Sequence, residues 1–182
     1  MLIVLVGIVA VVVIWVIATY NRLVALRNQI DGAWAQIDVQ LRRRYDLIPN
    51  VVETVKGYAS HEKEVFEKVA AARSAVMQAK GIEEQAQAQN MITQALKSLF
   101  AVAEAYPELK ANENFLALQG ELANTENQIA QTRELYNELV ARYNTLIQSF
   151  PASIVASSFS FSEREYFPID ESAREAPKVS FA

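Results

Sequence analysis

The chain has no cysteine, which excludes disulfides, cysteine-based zinc sites and thiol catalysis. It has one histidine, His61. One imidazole cannot supply a histidine metal site or the two Glu-x-x-His motifs of a di-iron bundle. Beside Glu62 and Glu64, His61 reads as an exposed residue at a helix start. Glycine and proline number only five each in 182 residues, a scarcity that favours helices over turn-rich β architectures. No glycine-rich phosphate loop of the P-loop or dinucleotide type is present. The formal net charge of −4 lacks the basic excess of a general nucleic-acid binder. Acidic residues are plentiful, but at helix-surface spacing they read as solvated rather than as a catalytic pair. No cofactor, metal, nucleic acid or small-molecule substrate is expected from this composition, and no enzymatic activity.

What the chain does have begins at Leu2. "LIVLVGIVAVVVIWVIA" runs to Ala18 without a polar side chain. As a helix it is roughly 26 Å long, close to the roughly 30 Å hydrocarbon core of a bilayer. Trp15 and Tyr20 fall where interfacial aromatics are expected. A cleaved signal peptide would show a basic n-region and a small-residue cleavage site, and neither is visible. The run reads as a single membrane anchor over 1–20. Arg22 and Arg27 come soon after it, and the positive-inside rule then favours a short external N-terminus and a cytoplasmic body.

No proline or glycine separates the apolar run from the residues after it, so the anchor is expected to continue directly into a helical domain over 21–150. Leu23, Leu26, Ile30, Ala33, Ile37, Leu47 and Val51 step by threes and fours. Gly57 and Ser60 mark a break, with Ser60 a candidate N-cap. A second helix is expected over 61–80, closed by Gly81 as its C′ residue. A third is expected over 83–105 with Ile92, Leu96, Leu99, Val102 and Tyr106 on one side, and Pro107 opens the fourth. Over 108–148, Phe115, Leu118, Leu122, Thr125, Ile129, Thr132, Tyr136, Leu139, Tyr143, Leu146 and Phe150 keep a heptad seam over roughly 60 Å. The seam fits packing inside an antiparallel bundle of about four helices; a strand from another subunit is the alternative occupant. Pro151 stops this helix. In 151–182, Phe159 and Phe161 alternate as in a short strand before a polar tail. The segments "YNRLVALRN" at Tyr20 and "YNELVARYN" at Tyr136 look alike but sit one step apart in the heptad frame, as similar helix compositions rather than a duplication.

Three consecutive arginines, Arg42 to Arg44, interrupt the first seam. In a strict heptad frame Gln40 and Arg44 lie on the seam, with Leu47, Val51, Thr54 and Tyr58 after them, while Arg42 and Arg43 lie off it. Arg42 has Asp38 and Asp46 four residues to either side, a solvated arrangement. A guanidinium on the seam needs a partner, because an unpaired buried charge costs several kcal/mol. The last helix has a polar interval at Thr125, Glu126 and Thr132. A polar layer of Gln40 and Arg44 against Glu126 would fix helix register. If the helix instead keeps a 3.6-residue period, Arg44 should sit at the edge with its stem packed and its head in water. Pro49 removes one backbone donor and predicts a kink, with a hinge or ligand notch as its functional reading.

"YNRLVALRNQIDGAWAQIDVQLRRRYDLIPNVVETVKGYASHEKEVFEKVAAAR" resembles the signature region of the LemA family. So do "YPELKANENFLALQGELANTENQIAQTRELYNELVARYN" and the terminal Pro151, Phe159, Phe161, Tyr166 and Phe167. The resemblance covers nearly the whole chain, with DLIPN and YPELKAN its most specific elements. It implies a bacterial inner-membrane protein with one N-terminal span, an external N-terminus and a soluble bundle of long helices, and it implies no enzyme. Some relatives are linked with membrane remodelling in magnetosome formation, others with membrane proteases or envelope stress. The resulting expectation is a self-assembling, membrane-anchored helical scaffold, with Phe159, Phe161, Tyr166 and Phe167 contacting lipid, another subunit or their own bundle. The alternative is an adaptor for a membrane protease or signalling protein.

Overall fold

A computed structural model describes residues 1–168. The long, uncapped, glycine-poor segments of the sequence appear as helices. Among the described residues these are α1 (Leu2–Lys56), α2 (Lys63–Gln78), α3 (Gly81–Glu104), α4 (Pro107–Lys110), α5 (Glu113–Gln148) and α6 (Ala152–Ser158), with no strand. The described residues are therefore all-helical, with one N-terminal helix long and apolar enough to cross a membrane continuing into packed helices.

The helix boundaries have local causes. α1 ends just before Gly57, and the next helix starts at Lys63 with Glu62, not Ser60, at the N-cap. Only Ala79 and Lys80 separate α2 from α3. Gly81 does not close α2 as a C′ residue: it opens α3, at φ +79°. A β-carbon there would meet nothing, so the demand for glycine is purely conformational. The carboxylate of Glu84 then accepts the Lys80 N–H at 2.7 Å, satisfying one donor at the new helix start. Pro107 occupies the first turn of α4, where its missing N–H costs nothing. The expected continuous fourth helix is broken at Ala111 and Asn112, because the Asn112 side chain caps α5 by accepting the Phe115 N–H at 3.0 Å.

The described chain divides into two compact units, and α1 and α5 contribute to both. The first comprises Met1–Val39 and Ile129–Tyr166. Its core is Leu23, Ile30, Ala33 and Ile37 of α1 with Ile129, Tyr136, Val140 and Tyr143 of α5, closed by Val155 and Ala156 of α6. The second comprises Gln40–Gln128 and the described residues from Phe167 on. Its core is rich in aliphatic residues and alanine: Ile48, Val51, Val55, Val69, Ala72, Ile92, Leu96 and Leu99, with Phe100 and Phe115 in ring contact at 6.1 Å.

The buried positions of α1 correct the heptad reading. They run Ile30, Ala33, Ile37, Leu41, Arg44, Ile48, Val51 and Val55, the 3.6-residue period of an unsupercoiled helix. Leu41, Ile48 and Val55 take the places expected for Gln40, Leu47 and Thr54. On α5 the heptad positions are buried or half-buried as far as Leu146, and Asn144 and Ile147 beside them are also buried. Phe150, placed on the seam, is instead 83 % exposed. The expected strand at Phe159 and Phe161 is absent: the chain after Pro151 first makes α6, then a segment with no regular secondary structure. α1 runs through Pro49 without interruption.

Candidate functional site

Arg44 is 1 % exposed, yet each end of its guanidinium is held. Nη1 donates to both oxygens of Glu126, at 2.7 and 2.9 Å, and lies 3.3 Å from the Thr93 hydroxyl. Nη2 donates to the Gln89 side-chain oxygen. Three helices of the second unit thus meet at one cation, α1 through Arg44, α3 through Gln89 and Thr93, and α5 through Glu126. Glu126 is 34 % exposed, so its carboxylate keeps part of its hydration while the cation loses nearly all. Such a pair adds little net stability over an apolar filling but is costly to break from one side. Gln40 does not join it: half-buried, its side-chain oxygen has no hydrogen-bond partner. The 3.6-residue period keeps Arg44 inside and rotates Gln40 off the seam. Gln89 supplies the contact in its place, three residues before Ile92 on the buried face of α3. Arg43, off the seam, pairs with the half-buried Glu121.

In the first unit the polar chemistry is directed at backbone. At the end of α6 the Phe161 N–H donates to Ala156 O at 2.9 Å and the Ser160 N–H to Ser157 O at 3.3 Å, with Ser160 at φ 56°. This is a Schellman closure with serine in the left-handed position glycine usually takes. It ends α6 and leads into a strap over 161–166 that has no regular secondary structure. Asn144 grips the strap with both ends of its amide, Nδ2 donating to Arg164 O and Oδ1 accepting the Arg164 N–H, each at 2.9 Å. The Tyr136 hydroxyl donates to Glu165 O at 2.9 Å, Gln148 donates to the Glu163 carboxylate at 2.8 Å, and the Arg164 guanidinium reaches Asp31 at 2.8 Å. Burial pushes the phenols of Tyr136 and Tyr143 above their usual range, with the nearby Arg164 opposing it.

The aromatic residues singled out in the sequence separate. Phe159 and Phe161 both pack edge-on against Tyr20, with ring centroids 4.8 and 5.6 Å away, and the Arg27 guanidinium sits 5.6 Å from the Phe161 ring. Tyr166 is half exposed and Phe167 is buried. From Met1 to Ala18 every residue is exposed except the half-buried Val16, Trp15 among the exposed, and Thr19 is the first buried one. The apolar run is therefore no core helix of a globular body. His61 is exposed. Among the described residues no three Asp, Glu or His side chains are grouped to hold a metal.

A sequence profile of the LemA family matches residues 33–181. Protein LemA of Metamycoplasma hominis is 27 % identical, over 85 % of this chain and 71 % of its own length. Magnetosome protein MamQ of Magnetospirillum gryphiswaldense is 25 % identical, over 81 % of this chain and 64 % of its own length. Magnetosome protein MamQ 2 of Paramagnetospirillum magneticum is 26 % identical over the same shares. The chain spans less than two thirds of the length of these magnetosome relatives.

Proposed function

Because the chain belongs to the LemA family, we propose that it is a non-enzymatic scaffold, anchored in a bacterial membrane and assembled from copies of itself. The observation that carries this reading is the unbroken helix α1, which runs from an apolar stretch that nothing in the chain covers straight into the packed helices. An uncovered apolar run fused without a joint to long packed helices suits an anchored scaffold. The magnetosome relatives support placing the work in membrane organisation. Arg22 and Arg27, just beyond the span, support a cytoplasmic body. The test is the mass of the particle after gentle detergent extraction, by native mass spectrometry. A defined multiple of 20.3 kDa is the expected result, and a monomer would overturn the scaffold.

A second reading has its own observation. An open groove of about 330 Å³ lies between α2 and α3, lined by Ala71, Ala72, Met91 and Ala95 with Lys68 at its rim. It suits an adaptor that receives a segment of a membrane protease or signalling protein. A monomer in the mass measurement, together with one partner recovered in stoichiometric amount, is the outcome that selects it.

A further inference from the structure

We propose that the base of the first unit is a second membrane contact, in which Phe150, Ile154 and Phe159 seat in the interfacial layer of the bilayer beside the span. The proposal rests on reading Leu2–Ala18 as membrane-spanning, and a quenching experiment with a label in each place separates the two.

The level of these residues comes from packing inside the unit. Phe159 touches the Tyr20 ring at 4.8 Å. Trp34 and Tyr136 are in ring contact at 5.6 Å on helices of opposite direction, so moving from 136 to 150 along α5 corresponds to moving from 34 to 20 along α1. Phe150 therefore lies level with Tyr20. That level is where the body begins: Thr19 is the first buried residue, and the uncovered apolar run lies immediately before it. A span seated in the hydrocarbon puts Tyr20 in the headgroup region, and the end of α5 and all of α6 must then reach the same depth.

The side chains presented there suit that medium. α6 buries Ala152, Val155 and Ala156 and turns Ile154 outward, 57 % exposed. Phe150 is 83 % and Phe159 53 % exposed. Ser157 and Ser158 beside them turn their hydroxyls back onto Ile154 O, at 3.1 and 2.7 Å, which leaves the outer face of this short helix less polar than its sequence suggests. Arg22, exposed one residue beyond Tyr20–Asn21, adds a cation at the same level for lipid phosphate. An apolar patch continuous with the span, at the depth where aromatic side chains partition, is covered by lipid without any further partner.

The absence of native cysteine makes the test direct. Ile154→Cys, and separately Phe150→Cys, are made in the full chain, labelled with an environment-sensitive fluorophore and reconstituted in phosphatidylethanolamine–phosphatidylglycerol vesicles. Spin-labelled lipids carrying the quencher near the top of the acyl chain report contact at 154, 150 and 135, and lipids carrying it near the chain end report the label at 9. Val9→Cys marks the span, and Leu135→Cys, roughly 22 Å further along α5, marks the water-exposed body. The expected result is loss of emission at 154 and 150 but not at 135, unchanged when the protein is diluted in lipid. Emission at 154 and 150 matching that at 135 overturns the proposal while leaving the span intact, provided the label at 9 is quenched. A blue-shifted but unquenched signal that disappears on dilution assigns the patch to a second copy and also overturns it. No quenching at position 9 removes the span reading, and the proposal falls with it.

Discussion

The two units handle buried polarity in opposite ways. In the second, a full charge carried by one helix is placed inside and satisfied by side chains from two others, so the polar groups converge on one point. In the first, the buried side chains are neutral, and Asn144 and Tyr136 spend their hydrogen bonds on the main chain of a segment with no secondary structure of its own. A convergent charge fixes the mutual register of helices, since sliding any one by a turn strands the cation. A distributed set of amide and phenol contacts fixes a strap, and each contact can be lost singly. The first arrangement is all-or-none and the second is graded.

The comparison is broken most severely at its charged centre. Arg44→Ala leaves Gln89 without its partner, a vacated space and a carboxylate at the edge of the core, and should cost about 3 kcal/mol. That corresponds to a fall of roughly 6 to 12 °C in the melting temperature of a chain this size, measured by circular dichroism in detergent. Arg44→Met fills the space with an apolar chain and should recover most of that loss. If it does, the layer serves register more than stability, and cross-links between α1 and α5 should show mixed registers. Equal melting temperatures for wild type and Arg44→Ala would remove the all-or-none contrast.

Asn144→Ala should have the next largest effect, about 1 to 2 kcal/mol for two hydrogen bonds to partly solvated backbone. It should act locally: amide exchange over 161–166 should rise several-fold while exchange around Val51 and Leu99 stays unchanged. Ser160→Gly acts in the other direction. Removing the β-carbon from a left-handed residue should stabilise the turn by about 1 kcal/mol, seen as slower exchange in the same segment.

The mildest contrast is titrational. Burial raises the Tyr136 and Tyr143 phenols in the folded first unit, so folding favours their neutral form. The stability this represents is present in full below the unfolded tyrosine value, about 10, and is lost as pH rises through the higher folded values. Alkaline titration monitored by phenolate absorbance should show a late-ionising group that shrinks in Tyr136→Phe. Fluorescent probes placed in the second unit should not respond over the same range. A single transition shared by both units would merge them into one cooperative block.

Much of this is legible in the residues. The apolar run, its direct continuation into the rest of α1, the break near Gly57, the Pro107 start and the need of Arg44 for a partner all rest on local chemistry that tertiary context does not override. Arg44 is inward under either period, because two turns of 3.5 or of 3.6 residues both carry Ile37 onto it. The expectation that a 3.6-residue period would leave Arg44 at the edge with its head in water is corrected: α1 keeps that period and Arg44 is buried all the same. Gln40 is not, and its displacement by Leu41 shows how a tenth of a residue per turn accumulates into a different neighbour. Gln89 carries a signal in its alignment with Ile92, Leu96 and Leu99, but only the fold brings that face of α3 to α1. α6 is obscured by its composition: serine with β-branched residues, after a proline, has weak intrinsic helicity. Alternating phenylalanines at Phe159 and Phe161 fit a strand, whereas the hydrogen-bonding partners of the strap are side chains of a helix.

α1 has no joint between its bare apolar end and Val39. A single-pass helix answers a mismatch between its own length and the bilayer by tilting, commonly by about 20°. Over the roughly 30 Å of α1 from Tyr20 to Val39, that tilt carries the far end sideways by about 10 Å, because nothing between can absorb the angle. Once the run is seated in a bilayer as proposed, the thickness of the lipid is converted into a lateral displacement of the far end of this unit, a pointer whose pivot lies in the membrane.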